Sequence, residues 1–256
     1  MRIHCHSQMG LAERAYSRRE GDEPSRFAAM RDWSMTTWLS VVLVVVFLLD
    51  AMLTPQHPFP LITTPDALQD ISGQIASGEV VMLTFGPLTR RGHFSTSTAL
   101  HGRQWWRVVT FAFVHTDVWP LVLNLLCLHG IGRAMEEHLG GRRFATFFGL
   151  SALAAPVTYL ALHAMNTAIL ATWAPLAGAT AGVLGMLAAA AWIGPDDEVS
   201  VWSSGMTLPR RTVAIVLCIV VALIAIKRDI AGAGWAHVGG AVAGLLTAAV
   251  LRLPRL

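Results

Sequence analysis

Thr180 is the single hydroxyl side chain in the apolar stretch LAGATAGVLG (176–185), and His237 stands in a second one, AHVGGAVAG (236–244). An alcohol beside an imidazole is the minimum set for nucleophilic catalysis: the ring takes the proton and the oxygen attacks a carbonyl. Two more polar groups, His115 and Asn124, lie near the start of another apolar run. Polar side chains are costly in hydrocarbon and are functional candidates by default. Each also has a plainer reading. A threonine in a membrane helix commonly bonds the carbonyl four residues back, here Leu176. A buried histidine or asparagine can simply bridge two helices.

The elements that must hold these groups are membrane helices. The chain has 256 residues, 54% hydrophobic and only 14% charged, where a soluble domain carries roughly 25% charged residues. Six apolar runs approach the length of about 20 residues that a spanning helix needs: Thr37–Leu53, Leu121–Leu139, Phe144–Met165, Leu176–Ile193, Thr212–Ile226 and Trp235–Leu251. If all six span with the N-terminus inside, thirteen of the 19 basic residues fall on the inner side. The positive-inside rule then predicts that both termini are cytoplasmic. The first span reads as an anchor rather than a cleaved signal, because a long acid-containing region precedes it and no A-x-A-like site follows.

Runs two, four and six then point the same way, so His115, Asn124, Thr180 and His237 share the outer leaflet. Gly240 and Gly244 follow His237 at i+3 and i+7, on its own helix face. Ala181, Gly185 and Ala188 offer a matching small face in run four. Small residues let helix backbones approach closely, which would bring His237 up to Thr180.

The remaining organisation is simple. Residues 1–32 read as a polar cytoplasmic tail, and 33–256 as one membrane domain. Residues 54–105 form a long outer loop that starts in a proline-rich stretch, where regular helix is forbidden. Within it Leu68, Ile71 and Ile75 share one helical face, suited to the membrane interface or to packing on protein. The three cysteines are far apart and give no disulfide framework. The His4-Cys5-His6 cluster on the tail is read as chance, so no metal and no cofactor is expected. The charge of +3 follows the inside bias and gives no reason to expect nucleic-acid binding. No paired broken helices suggest a transporter.

Taken together, QWWRVVTFAFVHTDVWPLVLNLLCLHGIGRAMEEHLG (104–140), GATAG (178–182) and AHVGGAVAG resemble the core of the rhomboid intramembrane serine proteases. The resemblance covers about residues 100–250. It implies an all-α, six-helix rhomboid-like bundle in an inner or plasma membrane. It implies that Thr180 stands at the nucleophile and His237 at the general base. Asn124 and His115 fall on the polar positions near the oxyanion hole. Trp106 and Arg107 match a fold-stabilising loop motif, and Glu136 matches a structural acid. Gly178, Gly240 and Gly244 match the motif glycines. The implied partners are transmembrane helices of client proteins and membrane lipids.

The chain departs from the family at four places. Thr180 replaces serine, Ala181 a glycine, Leu184 an aromatic that packs on the histidine, and Pro120 a histidine that donates to the oxyanion. The leading reading is therefore a rhomboid-type protein that binds clients with weak or absent proteolysis. The alternative is a working peptidase using a Thr180/His237 dyad.

Overall fold

The computed structural model describes residues 33–53, 85–165, 175–193, 198–201, 206–228 and 233–250. The chain divides into two units, Met1–Ser34 and Met35–Leu256, and every described helix belongs to the second. The His4-Cys5-His6 tail and the face formed by Leu68, Ile71 and Ile75 lie outside the described residues.

Six long helices make the bundle: α1 (Met35–Leu53), α4 (Val118–Leu139), α5 (Gly141–Ala164), α6 (Thr180–Ile193), α7 (Arg210–Arg228) and α8 (Gly234–Val250). Two short helices, α2 (Pro87–Gly92) and α3 (Arg107–Thr110), build the loop ahead of α4. By length and composition α1, α4 and α5 can each cross a membrane, while α6 and α8 are shorter apolar helices. Among the described residues the only sheet is an antiparallel pair, β1 (Glu198–Val201) with β2 (Met206–Pro209), in the connection between α6 and α7. Its alternating Val199-Ser200-Val201 was the available strand signal.

Helix α6 is the core of the bundle. Nearly all of its side chains are buried, and it packs against α5, α7 and α8. A helix that is apolar all round belongs at the centre, and beyond Thr180 this one is built from Ala, Gly, Leu, Val, Met, Trp and Ile. Its small residues allow backbone contact with α8. A Cβ at Gly240 would overlap the Ala181 carbonyl, and one at Gly244 would overlap Gly185. The two helices therefore run parallel, with Gly240 beside Ala181 and Gly244 beside Gly185. A Cβ at Gly182 would strike the Phe148 ring of α5 at 2.6 Å.

Carboxylates tie α1 in at both ends. Glu136 of α4 accepts hydrogen bonds from the Met35 and Thr36 amides, and from Thr36 Oγ1 at 2.8 Å. A negative charge there satisfies the free N–H groups of the α1 N-terminus and complements its dipole. Asp50, near the other end of α1, accepts from the Leu88 amide at 2.7 Å and from the Thr89 amide and hydroxyl. Sequence alone gives Asp50 no such task.

The exposed tryptophans fall into two groups. Trp119 and Trp235 open α4 and α8 at one end of the bundle, while Trp38 begins α1 and Trp192 ends α6 at the other. Two aromatic levels of this kind mark the two faces of a bilayer.

Candidate active site

The chain ahead of α4 is held by Arg107, which is buried. Its Nε donates to Gln104 Oε1 at 2.7 Å, and its Nη1 donates to the carbonyls of Arg90 (3.0 Å) and His93 (2.7 Å). One guanidinium thus closes the loop between α2 and α3. Neighbouring Trp106 is 56% exposed, and its indole N–H reaches the Arg91 carbonyl at 3.4 Å. Phe94 and Leu176 then exchange two backbone hydrogen bonds (2.9 and 2.8 Å), which pin this loop to the strand entering α6.

His93 Nδ1 donates to the Thr89 carbonyl at 3.0 Å. Burial, with the adjacent Arg107 charge, pushes the imidazole down to about 4. The unfolded chain, with an ordinary histidine value of about 6.5, binds more protons than the folded one between those limits. Stability is therefore full above about pH 6.5 and falls as pH drops toward 4, by up to about 3 kcal/mol. Thermal unfolding from pH 7.5 to 5 should show this slope, and His93→Gln should flatten it. Equal slopes in the two proteins would remove His93 from the account.

Helix α6 starts later than the apolar run that contains it. Residues 175–179 are extended or bent, and Thr180 is the first helical residue. Gly178 makes the turn with φ +107°, a conformation L side chains rarely adopt. Its amide donates to the Phe111 carbonyl at 2.8 Å. A Cβ at this position would also press on His115 Cδ2 at 3.3 Å.

This start decides the state of Thr180. Its hydroxyl is not back-bonded to Leu176, because that carbonyl lies outside the helix and accepts from Phe94. Instead Thr180 Oγ1 accepts from Asn124 Nδ2 at 3.2 Å. The same amide nitrogen lies 3.2 Å from His115 Nε2, which also accepts from the Ala179 amide at 3.4 Å. Two donors on Nε2 assign the histidine proton to Nδ1. Both Asn124 amide protons are then committed. Among the described residues, His115 Nδ1 and Asn124 Oδ1 have no hydrogen-bond partner.

Asn124 reaches this place because α4 is capped cleanly. Asp117 is its N-cap and accepts from the Trp119 amide at 3.1 Å. Pro120 follows within the first turn, where a missing N–H costs nothing. Pro120 and Asn124, one turn apart, line a cavity of about 20 Å³ together with His115 and Thr180. Val221, Ile224 and Ala225 of α7 close its far wall. Such a space holds about one water.

His237 is 1% exposed and lies on α8, one turn before Gly240. In the parallel register of α6 and α8 it is level with the turn 178–180 that opens α6. Thr180, Asn124 and His115 thus form one hydrogen-bonded group, with His237 at the same level. Trp106, Arg107 and Glu136 lie outside that group, in the loop and at the far end of α4. Sequence reasoning missed the Phe94–Leu176 pairing and the role of His93, and neither carries a recognisable motif.

Residues 102–254 match the family model described as Rhomboid domain, about 60% of the chain. The chain belongs to the rhomboid family. Among curated proteins, it is similar to Rhomboid-like protease 3 of Toxoplasma gondii, 31% identical over 146 residues, 56% of this chain and 50% of that one. It is also similar to Rhomboid protease GluP of Bacillus subtilis (strain 168), 28% identical over 160 residues, 59% of this chain and 27% of that one. The chain thus matches about half the length of one rhomboid relative and about a quarter of the other. The apolar helices and the rhomboid match make this a membrane-embedded protein.

Proposed function

We propose that this rhomboid binds transmembrane helices of client proteins and that its descent from intramembrane endopeptidases leaves it with weak or absent proteolysis. One observation carries the reading: Pro120, which has neither a side-chain donor nor an N–H, lines the Thr180 cavity at the position where the family resemblance expects an oxyanion-donating histidine. Pro120 lines it with an apolar ring, and both Asn124 amide protons are already given to Thr180 and His115. The Thr180 amide, at a helix N-terminus, and the unpartnered Nδ1–H of His115 are the donors that remain. One missing oxyanion donor slows acyl transfer by about 10²–10³. The extra methyl of threonine also restricts χ1 and crowds the line of attack.

All six helices are taken to span, with both termini on the cytoplasmic side of an inner or plasma membrane. Helix α6 has 14 residues, about 21 Å of rise, against a hydrocarbon core of roughly 30 Å. Thr180 then opens α6 below the outer surface, at a depth suited to meeting a client helix rather than a soluble peptide.

A second reading, a working Thr180/His237 peptidase, has its own support. The hydroxyl accepts from Asn124 and keeps its own proton to give to a base, and the cavity has space for about one water.

Reconstitution with a fluorescent transmembrane peptide separates the two. The leading reading expects energy transfer to the bound peptide, with cleavage no faster in the wild type than in Thr180→Ala or His237→Ala. Wild-type cleavage that both variants abolish establishes the working enzyme. Absence of peptide binding removes the client-binding reading.

A further inference from the structure

At the end of the bundle away from Thr180 lies a larger groove of about 470 Å³, within the roughly 300–1,000 Å³ typical of ligand sites. Its apolar walls are Leu139 of α4, Phe147 and Leu150 of α5, and the Thr247 region of α8. At its mouth stand two arginines, Arg142 and Arg143, both exposed. Nothing in the candidate active site uses these residues.

Among the described residues this charge is uncompensated. The acids nearby are engaged elsewhere: Glu136 turns inward to Met35 and Thr36, and Glu137 pairs with Arg133 at 3.4 Å. Among the described residues, neither Arg142 nor Arg143 has an ion-pair partner. Gly140, with φ +78°, turns the chain so that α5 begins at this spot, and the first amides of a helix have no intrahelical acceptor. The groove is also at the end of the bundle where Trp38 and Trp192 lie, the level of lipid headgroups.

We propose that this groove binds an anionic phospholipid. Arg142 and Arg143 hold the phosphate as charge-assisted donors, and one acyl chain lies over Phe147 and Leu150. Basic pockets between membrane helices are suited to such headgroups. The occupant has to be acidic because two unpaired guanidinium groups face it, and it has to carry a chain because the walls behind them are apolar.

The test is native mass spectrometry of the full chain, released from detergent containing phosphatidylglycerol or phosphatidylcholine with matched acyl chains. The wild type should retain phosphatidylglycerol in preference to phosphatidylcholine. Removing two surface cations beside an anionic lipid should weaken retention about thirtyfold in R142Q/R143Q. Leu150→Trp, which fills the apolar part and leaves both arginines, should lower retention of the same lipid. Glycerophosphate, a headgroup without chains, should displace none of it. Unfolding temperatures without lipid establish that the variants are folded. Equal retention of the two lipids, full retention by R142Q/R143Q, or displacement by glycerophosphate each overturns the proposal.

Discussion

Changing Pro120 to His and Thr180 to Ser in one chain is expected to raise cleavage of a transmembrane substrate by about 10²–10³ over the wild type. Pro120 is in the first turn of α4 and Asn124 one turn later, and both border the cavity at Thr180. A histidine placed there projects from the same face as Asn124 and adds an N–H donor where Pro120 offers none. It also restores a backbone amide in a turn where that amide needs no partner, so the helix should tolerate it. Serine in place of Thr180 removes the β-branch and frees χ1. Donor and nucleophile act in one transition state, so the two single variants should together gain less than the double one. Adding His237→Ala to the double variant should return cleavage to background. A folded double variant that stays silent would falsify the assignment of Thr180, Asn124 and Pro120 to a peptidase frame.

The second large effect is expected at Gly240. An alanine Cβ there meets the carbonyl oxygen, carbonyl carbon and Cα of Ala181, all of them backbone of α6. Backbone cannot rotate aside as a side chain can, so α8 must move away from the helix that starts at Thr180. Overpacking of this kind costs about 1–3 kcal/mol, and here it also separates His237 from the turn at Gly178. Gly240→Ala should therefore lower unfolding stability in detergent by that amount and remove the activity gained by the Pro120/Thr180 double variant. Gly149→Ala is the matched control, since a Cβ at Gly149 meets nothing within 4 Å. It should leave both readouts unchanged. A Gly240→Ala protein with wild-type stability and full activity would show that the α6–α8 contact is looser than described.

Much of this arrangement was legible in the chain. The apolar runs gave the long helices to within a few residues, because burial in lipid demands continuous apolar stretches and internally satisfied backbone. The spacing of Gly240 and Gly244 after His237 gave the α6–α8 contact, since small residues one turn apart have few uses other than close approach. The order of Arg107, Asn124, Thr180 and His237 gave the family.

The hydroxyl of Thr180 was the exception. By sequence, 176–193 is one apolar run, and a threonine inside it has its own helix as the nearest acceptor. Phe94, more than 80 positions earlier, takes the Leu176 carbonyl into a two-residue bridge, and Gly178 turns the chain at a positive φ. The helix cannot begin before Thr180, and its hydroxyl meets Asn124 instead. Composition and periodicity, both local properties, determined which segments are helices and which faces carry glycine. The start of α6, the partner of Thr180 and the commitment of both Asn124 protons were decided by tertiary contacts. Hydrogen bonds between distant segments leave no periodic trace in the chain that forms them.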